Sequence, residues 1–245
     1  MLQKSFDLSP SHKNKIDQNT SSISVCGVDE SGRGCWAGSV FAAAVILPKD
    51  WHSNTAFSKL NDSKKLSPLQ RERLFSVIEQ EAHFCIASAS AAEIDQWNIL
   101  KASLIAMNRA LSGLSRLITD KKTLTESTPL PDVIYIDGLH RPTIPNLFHN
   151  IPIAALIKAD ATIPAVSAAS ILAKVARDRY CQTLHHRYPD YGFDQHKGYG
   201  TALHDRQLKK LGPTPEHRAS FKPVKDLIEC QYQNTKQKAC DNFLS

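Results

Sequence analysis

A chain of 245 residues, 42% hydrophobic and 22% charged, is long enough for a real core and has the composition of an ordinary globular protein. Its 30 basic and 24 acidic residues leave +6 at neutral pH, a balance that mildly favours a polyanionic partner such as nucleic acid. Six cysteines without a C-x-x-C pair argue against a disulfide framework or zinc site, and no apolar run reaches transmembrane length or resembles a signal-peptide core, so a soluble cytoplasmic protein is expected.

Residues 1–21 are polar and aperiodic and read as a loose tail. "ISVCGVDE" alternates as a strand does and ends in Asp29 and Glu30, and "SVFAAAVILP" reads as a second, more buried strand. Ser67 marks a helix start, with Pro68 at the first helical position and Gln70 three residues after the cap. "HFCIASAS" predicts a strand and "AAEIDQWNILKASLIAMNRALSGL" a long amphipathic helix. After a Thr/Lys/Ser-rich linker, roughly 119–131, "DVIYIDG" is a short buried strand ending in Asp137, and "IPIAALIKAD" repeats that plan to end in Asp160. A helix over about 163–187 and a shorter one over "TALHDRQLKKLG" follow. The expected organisation is a domain over 22–212 and a partly helical extension over 213–245 packing on it.

Strands that first pair locally and then alternate with helices predict an α/β protein, a mixed sheet with helices on its faces. Sites in such sheets gather beyond the carboxyl ends of strands. Neighbouring strands ending in acids would therefore bring Asp29, Glu30, Asp137 and Asp160 together.

The stretch "VCGVDESGRGCWAGSV" poses a choice. Its spacing, G-x-G-x-x-x-G, departs from the dinucleotide fingerprint, and a strand rather than a helix follows it. A solvated turn with incidental acids fits a single Asp-Glu pair, but less well once two further strand-end acids recur downstream. Carboxylates gathered at one spot raise each other's pKa unless cations intervene, and hard ions such as Mg²⁺ or Mn²⁺ take oxygen ligands of this kind. Two such ions about 3.5–4 Å apart can clamp a phosphodiester for in-line attack.

"GVDESGRGCWAGSV" resembles the signature of the type 2 ribonucleases H, the ribonuclease HII family, usually D-E-A-G-R-G followed by A-G-P. "NDSKKLS", "YIDG", "KADATIPAVSAASILAKVARDR" and "HKGYGT" match further blocks in order, over roughly residues 23–225. The resemblance implies a ribonuclease H-like fold, a mixed β-sheet flanked by helices with a small C-terminal helical extension. It places the catalytic and metal-site acids at Asp29, Glu30, Asp137 and Asp160, with Mn²⁺ or Mg²⁺ as cofactor. The implied reaction is two-metal-ion hydrolysis of the RNA strand of RNA–DNA hybrids and cleavage 5′ to ribonucleotides embedded in duplex DNA. It leaves 3′-hydroxyl and 5′-phosphate ends, and its role is removal of misincorporated ribonucleotides.

By the same resemblance, Gly32, Arg33 and Gly34 read the ribose 2′-hydroxyl through backbone groups, and glycine is needed there because a Cβ would hold the main chain off the sugar. Tyr199 matches the tyrosine that stacks on the deoxyribose beyond the junction, and Lys64 matches a phosphate contact. A monomer with no membrane and no inferable protein partner is expected. Ser39 stands where proline is usual, Ala159 where glycine is frequent, and Leu139 where a polar residue is often found.

Ser167, Ser170, Lys174 and Arg177 share one stripe of the long third helix, opposite Ala169, Leu172, Ala173, Ala176 and Tyr180. The stripe reads either as a solvated face or as a contact to the substrate backbone, and Arg177 alternatively pairs internally with an acid. The ten histidines show no H-x₃-H or H-E-x-x-H spacing; His185, His186 and His196 read as surface residues and His140 as an outer partner of the acids. Trp36, Trp51 and Trp97 read as core or rim packing. Two other classes compete. A nicotinamide-dependent enzyme predicts dinucleotide binding without divalent metal, and a non-catalytic hybrid binder would ordinarily have lost one of the acids.

Overall fold

The computed structural model describes residues 23–58, 60, 66–120 and 130–243. The expected tail over 1–21, the centre of the linker and Lys64 lie outside the described residues.

Five strands form one sheet in the order β3-β2-β1-β4-β5: β1 Val25–Ser31, β2 Val40–Ile46, β3 His83–Ala89, β4 Val133–Asp137 and β5 Ile153–Leu156. The first three pair antiparallel as a meander, and β1, β4 and β5 run parallel. This is the mixed sheet that local pairing followed by alternation predicts. Strand periodicity splits β2 between two cores. Ala42, Ala44 and Ile46 face helix α2 (Ala91–Thr119), whereas Ala43 and Val45 face helices α1 (Pro68–Glu81) and α3 (Pro164–Arg187). Helices α4 (Phe193–His196), α5 (Ala202–Leu211) and α6 (Lys222–Phe243) complete the chain. The predicted capping box at the start of α1 is present, with Ser67 and Gln70 bonding reciprocally. Among the described residues, no helix is long and apolar enough to cross a membrane.

Two elements differ from expectation. Helix α2 is broken at Asn98, whose φ of 66° and ψ of 163° are not helical; its Oδ1 accepts the Lys101 N–H at 3.1 Å and restarts the helix as a cap. Strand β5 stops at Leu156, short of Asp160. Lys158, left-handed at φ 60°, turns the chain into a single 3₁₀ turn, Ala159–Ala161, that carries Asp160.

Helix α3 lies unusually close to β1. Ala165, Ala168, Ala169 and Ala173 give it a small-residue face, and a Cβ on Gly27 would sit 2.1 Å from the Ala165 carbonyl carbon. That approach carries Ser170, further along α3, up to the acidic end of β1. Gly27→Ala should therefore cost about 1–3 kcal/mol or more through forced separation of strand and helix. Urea unfolding measures it, and an unchanged midpoint would show that the helix does not rest on this glycine.

Candidate active site

The parallel pairing of β1 and β4 ends with Val28 beside Ile136, so the next residues, Asp29 and Asp137, stand at adjacent strand ends. Glu30 follows Asp29. Asp29 is buried at 5% exposure, and its Oδ1 accepts the Glu30 N–H at 2.7 Å. Burial, followed by the charge of Glu30, pushes its carboxyl well above the usual range; a Ser170 hydrogen bond opposes the shift and the charge of Asp137 adds to it. Burial likewise raises Glu30, with Arg33 pulling it down through an ion pair at 3.2 Å and Asp137 pushing it up. Asp137 accepts the Ala159 N–H at 2.7 Å. This bond ties the turn bearing buried Asp160 to the end of β4. It uses only the backbone of residue 159, so alanine in place of glycine does not disturb it.

The structure thus couples Asp29, Glu30 and Asp137 electrostatically and hangs Asp160 on the turn bonded to Asp137. Among the described residues, no three acidic, histidine or cysteine side chains are close enough to count as a closed metal cage. The donor set is nonetheless all carboxylate oxygen, with Asp29 and Asp160 buried, and burial together with neighbouring carboxylates raises Asp29 and Glu30. That is the condition a hard divalent cation relieves, so these residues fit one.

The glycine loop is held from behind by two fully buried guanidinium groups. Arg177 donates to the carbonyls of Ala37 (3.2 Å), Ser39 (3.3 Å) and Lys197 (2.8 Å). Arg218 donates to Gly32 (2.8 Å), Arg33 (2.9 Å) and Gly38 (2.8 and 3.0 Å). Burial lowers Arg218 to about 10, which leaves it charged at neutral pH. Sequence reasoning missed Arg218, because no acid at helical or strand spacing marks an arginine that binds carbonyls.

Several expected roles change. Arg177 neither pairs with an acid nor reaches the surface, and Ser167 is also fully buried, so the stripe on α3 is neither a solvated face nor a continuous contact surface. The cause is packing: α3 is covered on several sides by the sheet, α1 and α4. Gly32 is glycine for an internal reason, since its φ is +101° and a Cβ there would lie 2.0 Å from Arg177 Nε. Of Gly32, Gly34 and Gly38 in this loop, Gly34 alone has open space where its Cβ would stand, and Arg33 and Gly34 form the exposed tip. His196 is buried, not a surface residue. His140 is exposed, as is Leu139. Trp36 and Trp51 are half-buried and Trp97 exposed, as rim packing requires.

An open cleft of about 330 Å³ joins what remains. Glu30 and Ser31 stand on its β1 side, Ser170 and Lys174 on α3, and Tyr199 presents a ring 42% exposed. Arg71 of α1, which no motif marked, lines it too. Lys174 is braced by Asp178 at 2.5 Å.

The ribonuclease HII family model matches residues 26–224. Ribonuclease HII of Bordetella avium is 49% identical over 202 residues, 82% of this chain and 89% of that protein. Ribonuclease HII of Natranaerobius thermophilus is 43% identical over 207 residues, 84% and 94% of the two chains. Among solved structures, ribonuclease H2 from Pyrococcus horikoshii OT3 superposes with a TM-score of 0.63 at 27% identity, covering 84% of this chain and 98% of that one. The complex of Bst-RNase HIII with Mn²⁺ superposes with a TM-score of 0.70 at 20% identity, covering 94% of this chain and 76% of that one, and bears on the fold alone. The chain belongs to the ribonuclease HII family and has its ribonuclease H-like fold. Membership carries the family's general activity, hydrolysis of RNA in RNA–DNA hybrids.

Electrostatic strain among the acids has a measurable signature. Asp29 is raised in the fold, so its charged form penalises the folded state above the shifted pKa, and the penalty fades as pH falls toward the ordinary carboxylate range. In chelator-treated buffer, Asp29→Asn should raise the urea midpoint most at mildly alkaline pH, with the gain shrinking on acidification. An Asn variant less stable than the parent at alkaline pH would contradict the assigned repulsion.

Proposed function

We propose that this chain is an endonuclease that cuts on the 5′ side of a ribonucleotide embedded in duplex DNA, leaving 3′-hydroxyl and 5′-phosphate ends, and that it also cuts within RNA–DNA hybrids. The observation that carries the proposal is the cleft, which sets Glu30 beside a half-exposed tyrosine ring with Ser170, Lys174 and Arg71 on its walls. Asp29, Glu30, Asp137 and Asp160 would hold divalent ions, Mg²⁺ or Mn²⁺. Bound there, such ions would neutralise the phosphodiester and activate water for in-line attack.

The chain's own groups supply the rest. Ser170 orients Asp29, the Ala159 N–H orients Asp137, and Arg33 holds Glu30. Lys174 and Arg71 offer positive charge to the strand in the cleft, the sequence-independent part of affinity. Outside the described residues, Lys64 is assigned a further phosphate contact. The tip at Arg33 and Gly34 is the open backbone that can approach a ribose 2′-hydroxyl, the group that distinguishes RNA from DNA. Tyr199 offers its ring to the next sugar. A hydroxyl crowded against it would be left unpaired at a cost of about 1–3 kcal/mol, so deoxyribose is preferred there.

The deciding assay incubates the protein with Mg²⁺ or Mn²⁺ and a duplex bearing one ribonucleotide, and maps the cut. Asp29→Asn and Asp137→Asn should each lower turnover by about a hundredfold or more, since each removes a ligand charge. Near-parental turnover at saturating metal would sink the metal assignment. Gly34→Ala should leave thermal stability unchanged, its Cβ meeting no protein atom, yet weaken cleavage of both substrates. Tyr199→Ala should lower kcat/KM on the single embedded ribonucleotide about tenfold more than on a long RNA tract, as loss of about 1–2 kcal/mol of discrimination requires. An unmoved ratio places junction selectivity elsewhere.

A further inference from the structure

Behind Tyr199 lies a chain of three buried histidines that the reaction does not use. His196, His204 and His217 are 6%, 0% and 4% exposed. His217 Nδ1 receives the Thr214 N–H at 3.0 Å, so its proton sits on Nε2. That Nε2 lies 2.9 Å from His204 Nε2, which must therefore accept. The proton of His204 is thereby forced onto Nδ1, 3.0 Å from the Tyr199 carbonyl oxygen. His196 Nδ1 receives the Gly198 N–H at 3.1 Å, leaving Nε2–H to donate to the Tyr191 carbonyl at 2.8 Å. One placement of three protons satisfies every ring nitrogen, and the His196 and His204 rings stack at 4.2 Å.

We propose that His204, with its tautomer set by His217, is a positioning residue for Tyr199: its Nδ1–H fixes the Tyr199 carbonyl and with it the pose of the ring over the cleft. This inference rests on the reading of Tyr199 as the sugar platform. The carbonyl takes a second bond from the Thr201 N–H at 2.8 Å, and the Tyr199 N–H donates to the His196 carbonyl at 2.9 Å, so the residue is held at both ends of its backbone. The side chain reaches toward the cleft, with the Cys35 thiol beside its hydroxyl and the Arg177 guanidinium 5.8 Å from its ring. Trp36 packs its ring on His204 at 5.4 Å and links the relay to the glycine loop, since its backbone N–H donates to the Gly198 carbonyl at 2.8 Å.

Protonation of His204 would break the relay, because two Nε2–H groups would then face each other. Burial opposes that, lowering His204 to about 4 and His217 to about 3, with His196 lowered as well. Of the groups around them, Asp194 and Asp205 pull the other way, and Tyr191 and Tyr199 contribute backbone carbonyls. The relay is thus neutral throughout the neutral range.

Two measurements on the full chain test the inference. Imidazole ¹⁵N spectra should show His204 protonated on Nδ1 and His196 and His217 on Nε2, with His204 and His217 unchanged from about pH 8 to about pH 5, below the ordinary histidine pKa. A His204 protonated on Nε2, or titrating near the ordinary value, overturns the relay. The second measurement is the kcat/KM ratio for single ribonucleotide over long RNA tract. His204→Asn keeps a donor near the position of Nδ1, whereas His204→Gln places its amide near Nε2 and leaves the Tyr199 carbonyl without it. Loss of one hydrogen bond predicts a ratio about fivefold lower for Gln and little changed for Asn. A purely structural role would lower both melting temperatures and leave both ratios alone, which overturns the proposal. If Tyr199→Ala itself leaves the ratio unmoved, the reading of Tyr199 fails instead, and the tautomers decide the tether on their own. If Tyr199→Ala shifts the ratio and His204→Gln does not, the inference alone fails.

Discussion

Two guanidinium groups without exposure to solvent hold this site together. Arg177 arrives from α3 and Arg218 from the segment after α5, and between them they bond to the carbonyls of residues 32, 33, 37, 38, 39 and 197. A loop whose carbonyls turn inward to buried cations leaves its opposite side for a ligand. Hydrogen bonds to charged groups are worth about 1.5–3 kcal/mol each, so the loop is stiff although glycines make up much of it. Arg218 also brings its own segment into the site. Ala219 and Ser220 N–H groups are capped by Asp95 at 2.9 and 2.8 Å, and Val224 is fully buried. The start of the expected C-terminal extension is therefore built into the loop's support, consistent with a family match that runs to residue 224.

The acids depend on a second constraint, the close approach of α3 to β1. Four alanines and Gly27 remove the side chains that would separate helix from strand, and Ser170 reaches Asp29 as a result. Burial first, and then carboxylate repulsion, raises the pKa of Asp29 and Glu30. Ser170, Arg33 and the Ala159 N–H each offset part of that repulsion with a hydrogen bond or charge. Perturbed acids gathered in this way are typical of functional sites rather than of structural ion pairs.

Rigid support and open contact surface divide cleanly among the residues of the motif blocks. In the glycine loop, Gly32 faces inward against Arg177 and Gly34 faces out. In the third helix, Ser167 and Arg177 serve the interior, while Ser170 and Lys174 line the cleft. In the block after the third helix, His196 is buried and Tyr199 half-exposed only three residues later. A motif is thus a mixture of contact and scaffold, and family resemblance by itself assigns both to the substrate.

The sequence alone determined the mixed sheet, the bounds of most elements and the three strand-end acids, because alternation, capping and Pro/Gly punctuation are local in the chain. The Ser67 cap and the paired ends at Asp29 and Asp137 follow from such patterns. It could not show that Asp160 rides a turn beyond β5, since the left-handed residue that makes the turn is a lysine, not a glycine. It could not show which polar residues are buried either. Helical periodicity describes one helix against one surface, whereas α3 is enclosed by the sheet, α1 and α4. Arg177 and Arg218 find their carbonyl partners 20 to 186 positions away, and the rings of His204 and His217 meet across 13. A backbone carbonyl is present at every residue, so no pattern of residue types can announce which one a buried cation will bind; only the tertiary structure makes that choice.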